Sequence, residues 1–197
     1  AYLNRVSLGD YAYYKTPQIA FDKVSGTGTP FLYYTQGMAV SEVLIDRFTG
    51  YVKVVRADIL MDLGRSINEC IDYGQISGGF IQGMGWVTTE SLYYEQGRLL
   101  SLSPGTYKIP AITDIPELFN IELIENKENK VNVAGSKAVG EPPFPLALSV
   151  WCAIKHGLSF ILDGEIPDLK LPATNEEILF CQPKKTHYKK EQEHGTV

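Results

Sequence analysis

Hydrophobic and polar residues alternate across residues 38–61. Two runs rich in β-branched residues flank a turn that ends at Gly50, and Val43 and Ile45 alternate with polar residues such as Glu42. Alternation with a period of two is typical of strands that bury one face. The pattern therefore predicts an antiparallel hairpin.

Three later regions have patterns of their own. Residues 91–103 predict a second hairpin that turns near Gln96 and Gly97, and residues 117–125 predict another strand. Residues 145–162 instead carry apolar residues at helical spacing, which predicts an amphipathic helix packed on the sheet with one apolar face made of Leu146, Val150, Ala153, Ile154 and Leu158. The proline-containing stretch at residues 166–180 resembles a docking segment.

The stretch at residues 68–92 combines helix-like apolar spacing with five glycines: Gly74, Gly78, Gly79, Gly83 and Gly85. Each glycine in a helix costs about 1 kcal/mol relative to alanine, or about 4–5 kcal/mol together, so a helix here requires compensation. Glycines four residues apart leave a strip of helix surface open to a neighbouring backbone or to a flat ligand. The glycines alone do not decide between tight packing and ligand binding.

Composition narrows the class of protein. The chain has 197 residues, 44% of them hydrophobic, and a net charge of −5, without a basic stripe, which argues against nucleic acid as a partner. Neither an apolar run of about 18 residues nor a secretory leader is visible, so we expect no membrane span and an intracellular location. The chain begins at Ala1 rather than Met. We therefore expect a processed or partial chain.

Cysteine and histidine usage excludes several chemistries. Cys70, Cys152 and Cys181 are widely spaced and odd in number, which predicts buried free thiols in a reducing compartment. His156 is the one histidine outside the polar tail, so a histidine-based metal site or catalytic triad is not expected. If the protein is an enzyme, carboxylates or a cofactor carry its chemistry.

The stretch SKAVGEPPFP, residues 136–145, places Glu141 between Gly140 and two prolines. Glycine permits close approach to the main chain, and prolines restrict the backbone around them, so Glu141 is held in a defined direction. Such a glutamate can bond to backbone amides in a tight turn or can serve as a positioned base. Taken alone, the residues favour the turn.

Several motifs in order resemble the molybdopterin-binding subunit of the xanthine dehydrogenase and aldehyde oxidase family, the molybdenum hydroxylases. The matching stretches span roughly residues 10–181 and include VRADILMDLGRSIN, IDYGQISGGFIQGMGWVTTESLYY, SPGTYKIP and SKAVGEPPFPLALSVWCAIKHG. Among the branches of this family, these motifs resemble those of bacterial xanthine dehydrogenase most.

The resemblance implies an α+β fold. Antiparallel hairpins and a mixed sheet would pack with a glycine-rich helix and a C-terminal amphipathic helix, as in the molybdenum-cofactor-binding domain of xanthine dehydrogenase. Residues 1–181 would form the C-terminal portion of that domain, and residues 182–197 a polar, disordered tail.

The resemblance also implies roles for three residues. Glu141 would be the general base that takes a proton from the water-derived oxygen on molybdenum, which favours the base over the turn. Gln75 would hydrogen-bond the molybdopterin cofactor, and Gly140 would bring its backbone near the metal ligands. No residue of this chain is expected to ligate the metal itself.

The wider expectations follow from the same resemblance. The enzyme would be a cytoplasmic oligomer that hydroxylates a purine, hypoxanthine or xanthine, with water as the oxygen source. Its partners would be the upstream half of the molybdopterin-binding subunit and the domains or subunits that hold 2Fe-2S clusters and FAD. Two alternatives stay open: a catalytically inert fragment or assembly module, and an oxidase of aldehydes or N-heterocycles in the same family.

Overall fold

The computed structural model describes residues 2–182, which form two compact units. The first unit ends at Tyr34 and contains one small antiparallel hairpin, β1 (Ala20–Asp22) and β2 (Thr27–Thr29). In its turn, the Asp22 carboxylate accepts hydrogen bonds from the Val24 amide at 2.9 Å and the Ser25 hydroxyl at 2.8 Å. The second unit begins at Thr35 and holds the remaining elements.

The predicted hairpin at residues 38–61 is confirmed. Strands β3 (Gln36–Ile45) and β4 (Val52–Asp62) pair antiparallel, with a bulge between Glu42 and Val43. The Asp46 carboxylate closes the turn by accepting hydrogen bonds from the Phe48 amide and the Thr49 hydroxyl, both at 2.8 Å. Gly50 has a φ of +70°, a left-handed conformation that glycine adopts without strain.

The third strand makes the sheet mixed. β7 (Leu118–Leu123) lies beside β4 and runs parallel to it, so the strand order is β3-β4-β7. The connection between these parallel strands contains the helix α1 (Glu69–Thr88) and a small antiparallel hairpin, β5 (Tyr94–Glu95) and β6 (Arg98–Leu99). Its turn is at Gln96 and Gly97, as predicted, although each strand has only two residues. The predicted α+β class with a mixed sheet is confirmed.

The glycine-rich stretch is a helix of 20 residues. Asn68 caps it by accepting a hydrogen bond from the Ile71 amide at 3.3 Å. Its buried side chains, which include Ile76, Phe80 and Met84, pack with the inner face of the sheet in one hydrophobic core. The Phe80 and Phe119 rings meet with centroids 5.5 Å apart. Burial of this apolar face compensates for the low helix propensity of the glycines.

The predicted helix at residues 145–162 is present but divided. It consists of α2 (Pro143–Leu146) and α3 (Leu148–Ser159), which meet at Ala147. The Ala147 amide donates to the Phe144 carbonyl at 3.1 Å, an i to i−3 bond typical of a tight helical turn. Val150, Ile154 and Leu158 are fully buried as predicted, whereas Leu146 and Ala153 are half-buried. α3 packs on β3, where the Ser149 and Ser41 hydroxyls lie 2.7 Å apart.

The proline-containing segment does dock on the core. It ends in α4 (Asn175–Phe180), whose N-cap Thr174 accepts from the Glu177 amide at 3.3 Å. The Ala173 amide donates to the Val87 carbonyl of α1 at 2.8 Å. Leu169, Ala173 and Ile178 are buried, so the segment closes the end of the core.

The outcomes for the cysteines, the tail and a membrane span differ. Cys70 and Cys152 are exposed and Cys181 is partly exposed, so the prediction of buried thiols is wrong for the first two, which lie on solvent-facing sides of α1 and α3. Residues 183–197, which make up nearly all of the predicted tail, lie outside the described residues. Among residues 2–182, no helix is long and apolar enough to cross a membrane.

Candidate functional site

Two of the predicted site residues lie side by side. Gln75 is exposed in the second turn of α1, and Gly140 lies in the loop just before α2. A Cβ atom at position 140 would lie 3.2 Å from Oε1 of Gln75, a tight contact for a side chain. The absence of a side chain at Gly140 therefore lets its backbone pass close to the amide.

Glu141 follows directly and starts the next helical turn. Its backbone carbonyl accepts a hydrogen bond from the Phe144 amide at 3.0 Å, while its side chain is exposed. Pro142 already has helical angles, φ −56° and ψ −26°. Within residues 2–182, the Glu141 carboxylate makes no hydrogen bond or ion pair. Glu141 therefore takes part in a turn, as its sequence context predicts, but through its backbone carbonyl. Its carboxylate stays available.

The glycines of α1 serve two different surfaces. A Cβ at Gly79 would lie 3.1 Å from the Gly140 carbonyl oxygen, and one at Gly83 would lie 2.6 Å from the Phe144 carbonyl oxygen. These two glycines therefore seat the segment that carries Gly140 and Glu141 directly on the helix. By contrast, a Cβ at Gly74 or Gly78 would have no atom within 4 Å. The surface beside Gln75 is open.

Lys137, the fourth residue before Glu141, forms a buried ion pair that the sequence did not predict. Nζ of Lys137 lies 2.6 Å from Oδ2 of Asp62, the last residue of β4, and their side chains are 9% and 8% exposed. The same carboxylate accepts hydrogen bonds from the Asn126 side-chain amide and the Gly64 backbone amide, both at 2.8 Å. Burial alone raises the pKa of Asp62, but the bonds from Lys137, Asn126 and Gly64 outweigh it and hold the pKa below its ordinary value.

A pocket of about 930 Å³ lies near this ion pair, between the segment after β4 and the segment after β7. It is lined by residues at the start of α1 and by the connection that follows β7, including Arg65, Glu69, Asn126 and Lys127. None of Gln75, Gly140 and Glu141 lines it. Gln75 and Glu141 are instead exposed at the surface, and Gly140 is half-buried beside them.

Comparisons with known proteins show the family of this chain. Residues 1–116 match the family model described as the molybdopterin cofactor-binding domain. The chain is 48% identical to xanthine dehydrogenase of Oryza sativa subsp. japonica over 166 residues, which cover 80% of this chain. The chain belongs to the xanthine dehydrogenase family. It is also 45% identical to xanthine dehydrogenase/oxidase of Felis catus over 187 residues, which cover 90% of this chain.

A solved structure supports the same membership in the molybdenum hydroxylases. Aldehyde oxidoreductase from Desulfovibrio desulfuricans matches 82% of this chain with a TM-score of 0.68 and 29% sequence identity. This likeness confirms the predicted α+β fold. The relatives named here do not include a bacterial xanthine dehydrogenase, so the expected similarity to that branch stays a prediction.

The chain is short compared with these family members. It spans 12% of the length of the rice protein, 14% of that of the cat protein and 17% of the aldehyde oxidoreductase chain. The division of residues 1–181 as one domain portion also stays a prediction.

The predicted residues fit one side of a site for a flat, polar cofactor. The exposed amide of Gln75 offers both a donor and an acceptor, and the surface at Gly74 and Gly78 is free of neighbouring atoms. The bare backbone at Gly140 would otherwise be covered by a Cβ. An amide, an open strip and a carboxylate that has no partner among residues 2–182 thus occur together.

Proposed function

We propose that this chain forms one wall of the active site of a molybdenum hydroxylase, which hydroxylates a purine with water as the oxygen source. One observation carries the proposal: Gln75 and Gly140 meet at the surface, and the next residue is Glu141, whose carboxylate is unpaired within the described part of the chain. Membership in the xanthine dehydrogenase family supports this interpretation of the three residues.

Each residue has a role that its chemistry allows. The Gln75 amide would hydrogen-bond the polar edge of the pterin, and Gly140 would let that group approach the main chain. Glu141 would act as general base, because its exposed carboxylate has no protein partner among residues 2–182 that would have to be displaced before it accepts a proton. When bound, the molybdenum cofactor would supply the redox chemistry and the metal.

The purine substrate rests on the closer relatives. The xanthine dehydrogenase of Oryza sativa is 48% identical to this chain and the xanthine dehydrogenase/oxidase of Felis catus is 45% identical, whereas the aldehyde oxidoreductase is 29% identical. The rest of the molybdopterin-binding subunit, the iron–sulfur centres and FAD would be supplied by other parts of the enzyme. An oxidase of aldehydes or N-heterocycles is the alternative within the family.

Replacement of Glu141 tests the proposal in a complete subunit that contains this sequence. Glu141→Gln keeps the size and hydrogen-bonding capacity of the side chain but removes the base, so turnover of xanthine should fall by about 10²- to 10⁴-fold. Molybdenum content should stay unchanged. The exposed Glu128, replaced by Gln, is the matched control and should leave turnover unchanged.

The same assay discriminates the alternatives. Normal turnover in a metal-replete Glu141→Gln enzyme would show that Glu141 is not the base. Faster turnover of aldehydes or quinoline than of xanthine by the unchanged enzyme would replace the purine with another substrate class. If the chain is an inert assembly module, the complete subunit would turn over none of these substrates.

A further inference from the structure

The loop that presents Gly140 and Glu141 is long and has little regular structure. Between the end of β7 at Leu123 and the start of α2 at Pro143, the described chain has one short 3₁₀ turn, Val133–Gly135. A loop of this length loses much conformational entropy when it is ordered. Its order must come from contacts with the rest of the fold.

Backbone contacts anchor the loop to the segment after β4. The Arg65 amide donates to the Gly135 carbonyl at 2.9 Å, and the Lys137 amide donates to the Leu63 carbonyl at 2.7 Å. Gly64 and Ser136 form an antiparallel bridge between these bonds. Main-chain bonds of this kind join the two segments but do not by themselves select one register, because every residue offers the same groups.

The Lys137 side chain makes a directional contact at this anchor. It reaches the Asp62 carboxylate in the interior, whereas the other ion pairs within residues 2–182 are exposed, such as Lys127–Glu125 with side chains 78% and 77% exposed. A buried ion pair contributes little net stability relative to an apolar pair of the same shape, but breaking it leaves an uncompensated charge. A shift of the loop by one residue would break the pair.

Contacts on either side transmit this register to Glu141. Glu141 is the fourth residue after Lys137, and the Ala138 carbonyl between them accepts a hydrogen bond from the Thr35 hydroxyl at 3.2 Å. Val139 packs against the hydrophobic core, and Gly140 lies against Gly79 of α1. No residue of this short segment can move far while Lys137 stays paired.

We infer that Lys137, through its buried ion pair with Asp62, is a positioning residue that sets the register of the loop presenting Gly140 and Glu141. Because Asp62 neutralises its charge in the interior, Lys137 is not available as a cation for an anionic ligand. The inference rests on the proposed function for its effect on catalysis, although the effect on loop order is independent of it.

Hydrogen–deuterium exchange on the full chain tests the loop directly. In Lys137→Met, amides of residues 135–141 should exchange at least about tenfold faster than in the unchanged protein, while core amides of α3 keep their rates. Lys127→Met is the matched control, since it removes an exposed ion pair from the same loop and should not change these rates. Equal exchange in all three proteins would overturn the inference.

A second variant covers the case in which an unpaired buried carboxylate prevents folding. Asp62→Asn with Lys137→Met removes both charges, so it should fold but still exchange faster over residues 135–141. Exchange at the unchanged rate in a folded double variant would show that apolar packing alone orders the loop, and would overturn the inference.

Kinetics in the complete subunit separate positioning from general damage. Lys137→Met should lower kcat for xanthine by about 10-fold or more with little change in KM and with full molybdenum content, since a base displaced by about 1 Å loses catalytic efficiency. Lys137→Arg, which keeps the charge, should recover part of kcat.

If Glu141→Gln lowers turnover but Lys137→Met changes neither kcat nor exchange, the proposed function stands and the positioning role is wrong. If Glu141→Gln has no effect while loop exchange still rises in Lys137→Met, the proposed function fails and the register role stands.

Discussion

At the scale of single residues, Asp62 shows how a buried charge is accommodated. Its carboxylate accepts hydrogen bonds from the Lys137 ammonium group, the Asn126 side-chain amide and the Gly64 backbone amide, so both oxygens have partners. Buried charges are tolerated when they are paired and hydrogen-bonded in this way. The sequence showed only an acidic residue at the end of an apolar strand and a lysine 75 positions later. Their pairing depends on the return of the chain to the end of β4.

The lowered pKa of Asp62 predicts an acid dependence of stability. An aspartate in the unfolded chain has a pKa of about 3.9, and the folded value lies below it. The ionised group therefore stabilises the fold at every pH above the unfolded value, and this contribution is lost as the pH falls through the folded value. When the pH falls from about 5 to about 2, the free energy of unfolding should therefore decrease less in the double variant Asp62→Asn with Lys137→Met than in the unchanged chain.

Urea unfolding at a series of pH values measures this difference. Arg56→Met with Asp58→Asn is the control, because that pair has side chains 47% and 37% exposed and is screened by solvent. It should change the pH dependence less than the buried pair does. Identical pH profiles for the unchanged chain and the Asp62/Lys137 variant would contradict the prediction.

At the scale of elements, α1 has different requirements at neighbouring glycines. Gly83 is buried against the Phe144 carbonyl and the Ala147 methyl group, while Gly78 faces open space. The parallel stacking of Trp86 on Phe144, with ring centroids 4.7 Å apart, continues the contact between α1 and α2. The helix therefore uses only some of its glycines for packing.

Alanine substitutions at these two positions should have opposite effects. A Cβ at position 83 would lie 2.6 Å from a backbone oxygen and 2.9 Å from the Ala147 Cβ, so Gly83→Ala should destabilise the chain by about 1–3 kcal/mol. Gly78→Ala meets no atom and should stabilise the helix by up to about 1 kcal/mol.

Thermal unfolding of the two variants, followed by circular dichroism, measures both effects with the same chemical change. Equal shifts in Tm for Gly83→Ala and Gly78→Ala would mean that α2 does not press on the helix in solution.

At the scale of the whole molecule, both the candidate site and one face of the sheet are open. The outward face of β3, β4 and β7 presents apolar side chains that are 41–67% exposed: Met38, Val40, Leu44, Leu60 and Leu118. Met38 and Leu60 lie opposite each other on this face, and neighbouring exposed apolar side chains are typical of a surface that another part of a protein covers.

The isolated chain should therefore not retain the cofactor. Small ligands bind tightly when most of their surface is enclosed, and Gln75, Gly140 and Glu141 enclose one side only. We expect the purified 197-residue chain to contain no stoichiometric molybdenum or pterin, to oxidise neither xanthine nor aldehydes, and to self-associate.

Metal analysis and light scattering decide this prediction. Val40→Lys, on the outward face of β3, should reduce self-association, whereas Lys15→Gln, in the first unit, should not. A monomer with stoichiometric molybdenum would show that this chain is a complete cofactor-binding domain.

Local patterns in the sequence were sufficient for the main hairpin, the long helices and the family, but not for the small β1–β2 hairpin or the division between α2 and α3. The β3–β4 hairpin follows from period-two alternation and a glycine turn, and α3 from apolar spacing, because these signals depend on neighbouring residues alone. The motifs around Gln75 and Glu141 identified the family because residue order is itself the signal. The tertiary structure decided what depends on distant residues: the parallel pairing of β7 with β4, the seating of Gly140 against α1, and the burial of Asp62 with Lys137. Contacts between residues far apart in sequence form only when the packed core brings their segments together, so no local pattern could predict them.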